Sequence, residues 1–122
     1  MHYAIPRLLN ERGMLTQFYA DICAARGWPR LLNAAPKYLL LGGLRRLAAR
    51  RPVGIPRNRI TAFTNFGLQY RRKCNSARSK SELTQVHLSA GIRFCQLILK
   101  TNPPDDSSLY VFNSAGLELL QA

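Results

Sequence analysis

Acidic residues, paired cysteines and long apolar runs are all scarce in this 122-residue chain. The three cysteines, Cys23, Cys74 and Cys95, are widely spaced and form no Cys-x-x-Cys pair, so a zinc site of that type is excluded. The longest apolar run, Tyr38–Leu44, is far shorter than the roughly 20 residues of a membrane span. The apolar start is broken by Pro6-Arg7, a pattern that argues against a signal peptide.

Between Ile22 and Ser81 the chain has no Asp or Glu. This acid-free stretch carries fourteen cations: Arg26, Arg30, Lys37, Arg45, Arg46, Arg50, Arg51, Arg57, Arg59, Arg71, Arg72, Lys73, Arg78 and Lys80. Together with the rest of the chain they give a formal net charge of +12. A field of this sign attracts the phosphates of nucleic acid, anionic lipid or a phosphorylated small molecule. A basic face that merely points to water is the alternative.

The chain is long enough for one domain with one core and too short for two of ordinary size. We therefore expect a single domain over residues 1–122. The apolar periodicity predicts an alternation of helices and strands. Helices are predicted over 3–12, 36–51, 65–73, 81–100 and 117–121, a helical turn over 30–33, and strands over 14–23, 59–63 and 109–112. Gly13 would end the first helix, and Ser79 or Ser81 would cap the long helix, with Glu82 in its first turn.

This order of elements predicts an α/β fold with an open parallel sheet. Such a sheet begins with a strand, yet this chain begins at the helix that would follow it. The last predicted helix likewise opens a unit without completing it. We therefore expect a sheet whose first strand is missing, in a chain cut at both ends.

Several short motifs resemble those of a known family. They are His2-Tyr3, Leu8-Leu9, Gly13-Met14-Leu15, Phe18-Tyr19-Ala20-Asp21, the segment 54–60 and the segment 110–116. In this order they resemble the amino-terminal, acceptor-side domain of bacterial group 1, family 4-like glycosyltransferases of the GT-B fold. The resemblance implies an incomplete Rossmann-like domain, with its first strand and the glycine-containing loop after that strand both absent.

The resemblance also implies an activity for the parent enzyme: transfer of a sugar from a nucleotide-sugar donor to a lipid-linked or polysaccharide acceptor. The donor would bind a carboxy-terminal domain that this chain lacks. The chain itself would therefore carry no cofactor, and we expect it to be inactive alone. The implied location is the cytoplasm, with a peripheral position at the inner face of the membrane as an option that the basic charge allows.

Ligands of open α/β sheets bind beyond the carboxyl ends of the strands. The candidate acceptor-binding residues at that edge are His2, Asp21, Asn65, Asn113 and Ser114, with Thr64 beside them. His2 is the weak candidate for a catalytic base, because imidazole titrates near neutrality. Four of them have a structural alternative: a helix cap for His2, Asn113 and Ser114, and an ion pair with an arginine for Asp21.

A second candidate site is the arginine cluster Arg45, Arg46, Arg50 and Arg51, which could contact an anionic membrane or a phosphate. Its alternative is a helix that covers the sheet and points these arginines to water. His87 fits a satisfied, semi-buried histidine better than a functional one, and no metal site is predicted. The charge also allows two other functions, a small nucleic-acid-binding protein and a peripheral membrane-binding module.

Overall fold

The computed structural model describes residues 3–25, 31, 34, 42–43, 46, 49–104, 108 and 110. Among these residues the elements are α1 (Ala4–Glu11), β1 (Phe18–Ala20), a 3-10 turn (Arg57–Arg59), β2 (Ile60–Ala62), α2 (Thr64–Ser76) and α3 (Lys80–Leu99). The chain divides into two compact units, residues 1–64 and 65–122, and each is described by itself. The predicted mixture of helices and strands is confirmed.

The sheet of the first unit consists of β1 and β2, which pair in parallel. Phe18 lies opposite Ile60 and Ala20 opposite Ala62. The ladder extends one step further, because the Phe63 N–H donates to the Ala20 carbonyl over 2.9 Å. The predicted parallel pairing is therefore confirmed as a two-stranded sheet.

The predicted length of the first strand is wrong, since β1 covers three residues and not all of 14–23. The N–H groups of Met14 and Leu15 donate to the Leu9 carbonyl at the end of α1, so these residues close the helix and do not join the ladder. After Ala20 the chain bends at Asp21. The predicted strand is thus three pieces of different backbone conformation: the residues that close α1, the short strand β1 and the bend after it.

The core of the first unit lies on one face of the sheet. Its buried members are Leu15, Cys23, Ile55 and Ile60, and the half-buried apolar residues packed against them are Leu9, Phe18, Ala20, Ala25 and Ala62. The four strand residues in this set alternate with residues of the opposite face, as the pleat of a strand requires. Leu9 is the contribution of α1, whereas Ile5 and Leu8 stay exposed at 40% and 52%.

A polar clamp joins the end of α1 to the chain before β2. The side-chain amide of Asn10 donates to the Gly54 carbonyl over 2.9 Å, and its oxygen accepts from Arg59 Nη1 over 2.9 Å. Asn10 therefore fixes the start of β2 against the helix that precedes β1.

Gly13 follows the helix with φ +70°, which confirms its predicted part in ending α1.

In the second unit, α2 and α3 form an antiparallel hairpin joined by residues 77–79. Phe66, early in α2, meets Phe94, late in α3, at 5.7 Å between ring centroids. Tyr70, one turn further along α2, meets His87, which comes earlier in α3, at 5.8 Å. The reversed order of these two pairs shows that the helices run in opposite directions.

The predicted helix over 81–100 is confirmed as Lys80–Leu99, and Ser79, one of its two predicted caps, accepts a hydrogen bond from the Glu82 N–H over 3.1 Å. The predicted helix over 65–73 is confirmed and continues to Ser76. The strand over 109–112, the helix over 117–121 and the turn over 30–33 lie outside the described residues, apart from isolated positions. Most of the helix over 36–51 does so too, although residues 42, 43 and 46 have helical backbone. In the described parts of the chain, no helix is long and apolar enough to cross a membrane.

Candidate functional site after the parallel strands

Asp21 lies directly after β1, at the carboxyl edge of the sheet. Its Oδ2 is 3.5 Å from Nη1 of Arg50, and the two side chains are 39% and 41% exposed. Asp21 thus has the arginine partner that the sequence offered as its structural alternative. A half-exposed pair at this distance contributes little to stability, about 0.2–1 kcal/mol. Asp21 therefore remains accessible as a hydrogen-bond acceptor.

The backbone, and not the ion pair, brings Arg50 to this edge. The Ala24 N–H donates to the Arg50 carbonyl over 2.9 Å, which ties the chain before Pro52 to the segment after β1. Ile22, Cys23 and Ala24 are 1%, 0% and 0% exposed, so this segment is firmly anchored. The position of the Arg50 backbone is therefore set by buried structure.

Tyr3 is a further polar group at this site. Its ring meets that of Phe18 edge-on, with centroids 5.9 Å apart. Burial raises the pKa of the Tyr3 phenol, nearby Cys23 raises it further, Arg50 opposes the rise, and Asp21 adds to it. The phenol is therefore neutral at physiological pH and keeps its O–H as a hydrogen-bond donor.

Thr64 marks the end of the second strand at the same edge, because the carboxyl ends of parallel strands coincide. It is half-buried and is the first residue of α2. Asn65, the next residue, is exposed and belongs to the second unit. Within the first unit, the edge thus combines a carboxylate, a guanidinium and a hydroxyl, and Tyr3 packs against the first residue of β1.

The donors and acceptors of this edge suit a ligand rich in hydroxyl groups. Asp21 accepts hydrogen bonds, and Tyr3 and Arg50 donate them. Within the described residues, the only side-chain hydrogen bond of Arg50 runs from Nη1 to Asp21 at the long distance of 3.5 Å. The other guanidinium nitrogens are thus available to a ligand.

Four of the sequence-predicted residues, His2, Arg45, Asn113 and Ser114, lie outside the described residues. Arg46 and Arg51 are exposed, in contrast to Arg50. Across the described residues, no group of three or more His, Cys, Asp or Glu side chains could hold a metal ion.

The sequence predicts that His87 is semi-buried and hydrogen-bonded. The predicted burial is wrong, and the predicted hydrogen bonding is confirmed. The side chain is exposed, and its Nδ1 is hydrogen-bonded to the Tyr70 hydroxyl over 2.6 Å. The hairpin explains both findings. Tyr70 reaches across from α2 to the His87 ring, and the hydrogen bond forms at the surface of the hairpin.

Sequence reasoning missed Tyr3 and the special position of Arg50. Tyr3 is separated from Asp21 by an entire helix and turn, and Arg50 is 29 residues further along the chain than Asp21. No local pattern encodes such distances. The one available signal was the scarcity of acids, which makes an arginine partner for Asp21 the default expectation.

The chain has no match among known protein families, curated proteins or solved structures.

Proposed function

We propose that this chain is the acceptor-side part of a GT-B glycosyltransferase, with an incomplete Rossmann-like sheet that binds a saccharide or lipid-linked acceptor. The observation that carries the proposal is the parallel register of β1 and β2, which brings Asp21 and Thr64 to one carboxyl edge. Ligand sites of open α/β sheets lie at this edge. The family resemblance of the sequence motifs adds the reaction class.

In this proposal Asp21 accepts a hydrogen bond from a hydroxyl of the acceptor. Arg50 holds the carboxylate in place and offers its other nitrogens to the ligand, and the neutral phenol of Tyr3 donates a further hydrogen bond. A carboxylate and a guanidinium side by side bind neighbouring hydroxyls of a sugar ring in complementary directions. Asn65, His2, Asn113 and Ser114 remain candidates for further contacts.

Transfer itself is assigned to the parent enzyme, whose nucleotide-sugar donor binds a separate carboxy-terminal domain. This chain then binds acceptor without turning it over. The arginines Arg45, Arg46 and Arg51 remain candidates for holding the parent at an anionic membrane surface, where a lipid-linked acceptor resides.

The test is an NMR titration of the isotope-labelled full chain, in which the backbone amide chemical shifts are followed. The ligands are a panel of oligosaccharides and a short-chain lipid-linked saccharide. We expect shifts centred on residues 20–22 and on Thr64. Asp21→Asn should weaken the affinity about tenfold, because it removes a charged hydrogen-bond acceptor. The matched control is Glu11→Gln, which also removes one carboxylate, from an exposed ion pair with Arg7.

The proposal predicts no comparable response to a nucleotide sugar. If every saccharide leaves the amides of residues 20–22 unmoved, the acceptor role is wrong. Equal weakening by Asp21→Asn and Glu11→Gln would also contradict it, since net charge and not the site would then control binding.

A further inference from the structure

A compact basic surface lies at the turn end of the α2–α3 hairpin. It consists of five cations, Arg71, Arg72, Lys73, Arg78 and Lys80, all exposed. Over residues 71–82 the only acid is Glu82, so this segment has a net formal charge of +4. We call these five residues the hairpin basic surface. It belongs to the second unit and is independent of the site after β1.

No carboxylate of the described chain neutralises this surface. The two ion pairs found among the described residues, Arg7–Glu11 and Arg50–Asp21, involve none of its members. Glu82 offsets one of the five charges but forms no ion pair with them, and its Oε2 accepts from the Arg78 backbone N–H over 2.7 Å. The five side chains therefore project a positive field into solvent.

The fold does not need this charge. Lys73, in the last turn of α2, is favoured by the dipole of its helix. Arg78 and Lys80, however, flank the amino terminus of α3, where the helix dipole disfavours cations. Their positive charges raise the free energy of the folded chain slightly, so stability does not explain them.

Hydrogen-bonding groups lie beside the cations. An open groove of about 450 Å³ runs between the two helices at the turn end. Its lining residues are Lys73, Ser76, Ala77, Glu82, Gln85, Val86 and Ser89. The ammonium of Lys73 and the side-chain amide of Gln85 are donors of the kind that contact phosphate oxygens in nucleic-acid complexes.

We propose that the hairpin basic surface binds the phosphodiester backbone of duplex DNA without reading its sequence. A membrane surface is disfavoured because an interfacial helix combines its cations with a buried apolar face. The exposed large apolar residues of the described second unit are Leu88, Ile92 and Tyr110, and all lie beyond residues 71–85.

Other nucleic acids fit this surface less well. Single strands are held by bases stacked on aromatic side chains. The aromatic residues of the hairpin, Phe66, Tyr70 and Phe94, instead contact one another within it. Duplex RNA is recognised in part through its 2′-hydroxyl groups, and the five cations offer no hydrogen-bond acceptor to them.

The experiment measures anisotropy of a labelled DNA duplex of mixed sequence with the full chain over a range of NaCl concentrations. We expect micromolar binding at low salt, weakening steeply as salt is added, because each phosphate contact releases a counterion. The triple variant Arg72→Gln, Arg78→Gln, Lys80→Gln should weaken binding roughly tenfold or more at low salt and reduce the slope of log affinity against log salt by about 2–3. The hydrogen bonds made by these residues use backbone atoms alone, so the variant keeps them.

The matched control is Arg12→Gln, Arg57→Gln, Lys100→Gln, which removes the same charge from three exposed positions elsewhere. The proposal requires the control to retain affinity within about threefold. Equal weakening by both triples overturns it, since overall charge would then explain binding. So does a preference for anionic phospholipid vesicles, for single-stranded DNA or for duplex RNA over duplex DNA, or the absence of duplex binding at low salt.

Discussion

At the scale of single residues, Gly54 holds a tight position in the first unit. Its φ of +85° is a conformation that other residues adopt only with strain, and its carbonyl accepts from Asn10. A Cβ built on it would lie 2.9 Å from Cγ and Cδ of Arg7. Gly54 therefore lets the chain before β2 approach α1 closely.

We expect Gly54→Ala to destabilise the chain by about 1–2 kcal/mol from backbone strain, with an added cost for displacing Arg7. Gly13→Ala is the matched control, because Gly13 also has a positive φ, +70°, but has nothing within 4 Å of a Cβ. Urea unfolding of both variants measures the difference. A Gly54→Ala variant no less stable than Gly13→Ala would contradict the close approach.

The raised pKa of Tyr3 has a consequence for stability at alkaline pH. The folded chain keeps the phenolic proton to a higher pH than the unfolded chain, where the pKa is about 10. The stability that this adds is complete below the unfolded-state pKa and is lost as pH rises through the folded-state pKa.

The wild type should therefore lose more unfolding free energy between about pH 8 and about pH 10.5 than Tyr3→Phe does. Urea unfolding in the presence of a reductant, which protects the three free cysteines, measures the two losses. All other ionisable groups are common to both proteins, so the difference between the two losses reports on Tyr3. Identical losses would show that Tyr3 is not buried in solution.

At the scale of elements, α3 begins at a defined cap. Ser79 Oγ accepts a hydrogen bond from the Glu82 N–H over 3.1 Å, and the Glu82 carboxylate accepts one from the Arg78 N–H over 2.7 Å. Two amide donors around the start of the helix are thereby satisfied. The hydroxyl of Ser81, the other predicted cap, takes no part.

Ser79→Ala should cost about 1 kcal/mol of stability, because an amide donor at the start of α3 loses its partner. Ser81→Ala is the control and should stay within about 0.5 kcal/mol of the wild type. Thermal unfolding followed by circular dichroism compares them. Equal effects of the two substitutions would mean that Ser79 does not cap the helix.

The elements differ in how far the sequence predicts them. α3 was predicted to within one residue at each end, because its apolar period, serine caps and Asn-Pro-Pro stop are all local. β1 was predicted far too long, because a strand extends only as far as its partner, and that partner lies some forty residues away. For the same reason the sequence named Asp21 and Arg50 as candidates for two different sites, and it did not pair them with each other.

At the scale of the whole molecule, the charge of +12 opposes folding through self-repulsion. The two ion pairs in the described part of the chain are exposed, so their screening by salt costs little stability. Added salt should therefore stabilise the chain.

We expect the unfolding temperature to rise by several degrees between about 10 mM and about 300 mM NaCl, as the Debye length falls from about 30 Å to below 10 Å. The hairpin triple variant, with three charges fewer, should show a higher unfolding temperature at low salt and a smaller rise. Sucrose, which leaves charge unscreened, is the control for general solvent effects. An unfolding temperature that falls with salt would mean that attractive pairs outweigh repulsion.

The sequence by itself determined the charge, the helices with their caps, the positive-φ glycine after α1 and the alternation of helix and strand. These depend on residues a few positions apart, where period, cap and turn chemistry act directly. The tertiary structure alone decided the length of β1, the register of its parallel pairing with β2 and the pairing of Asp21 with Arg50 at one edge. Their physical cause is contact between segments far apart in the chain, which depends on how the buried core closes and not on any local pattern.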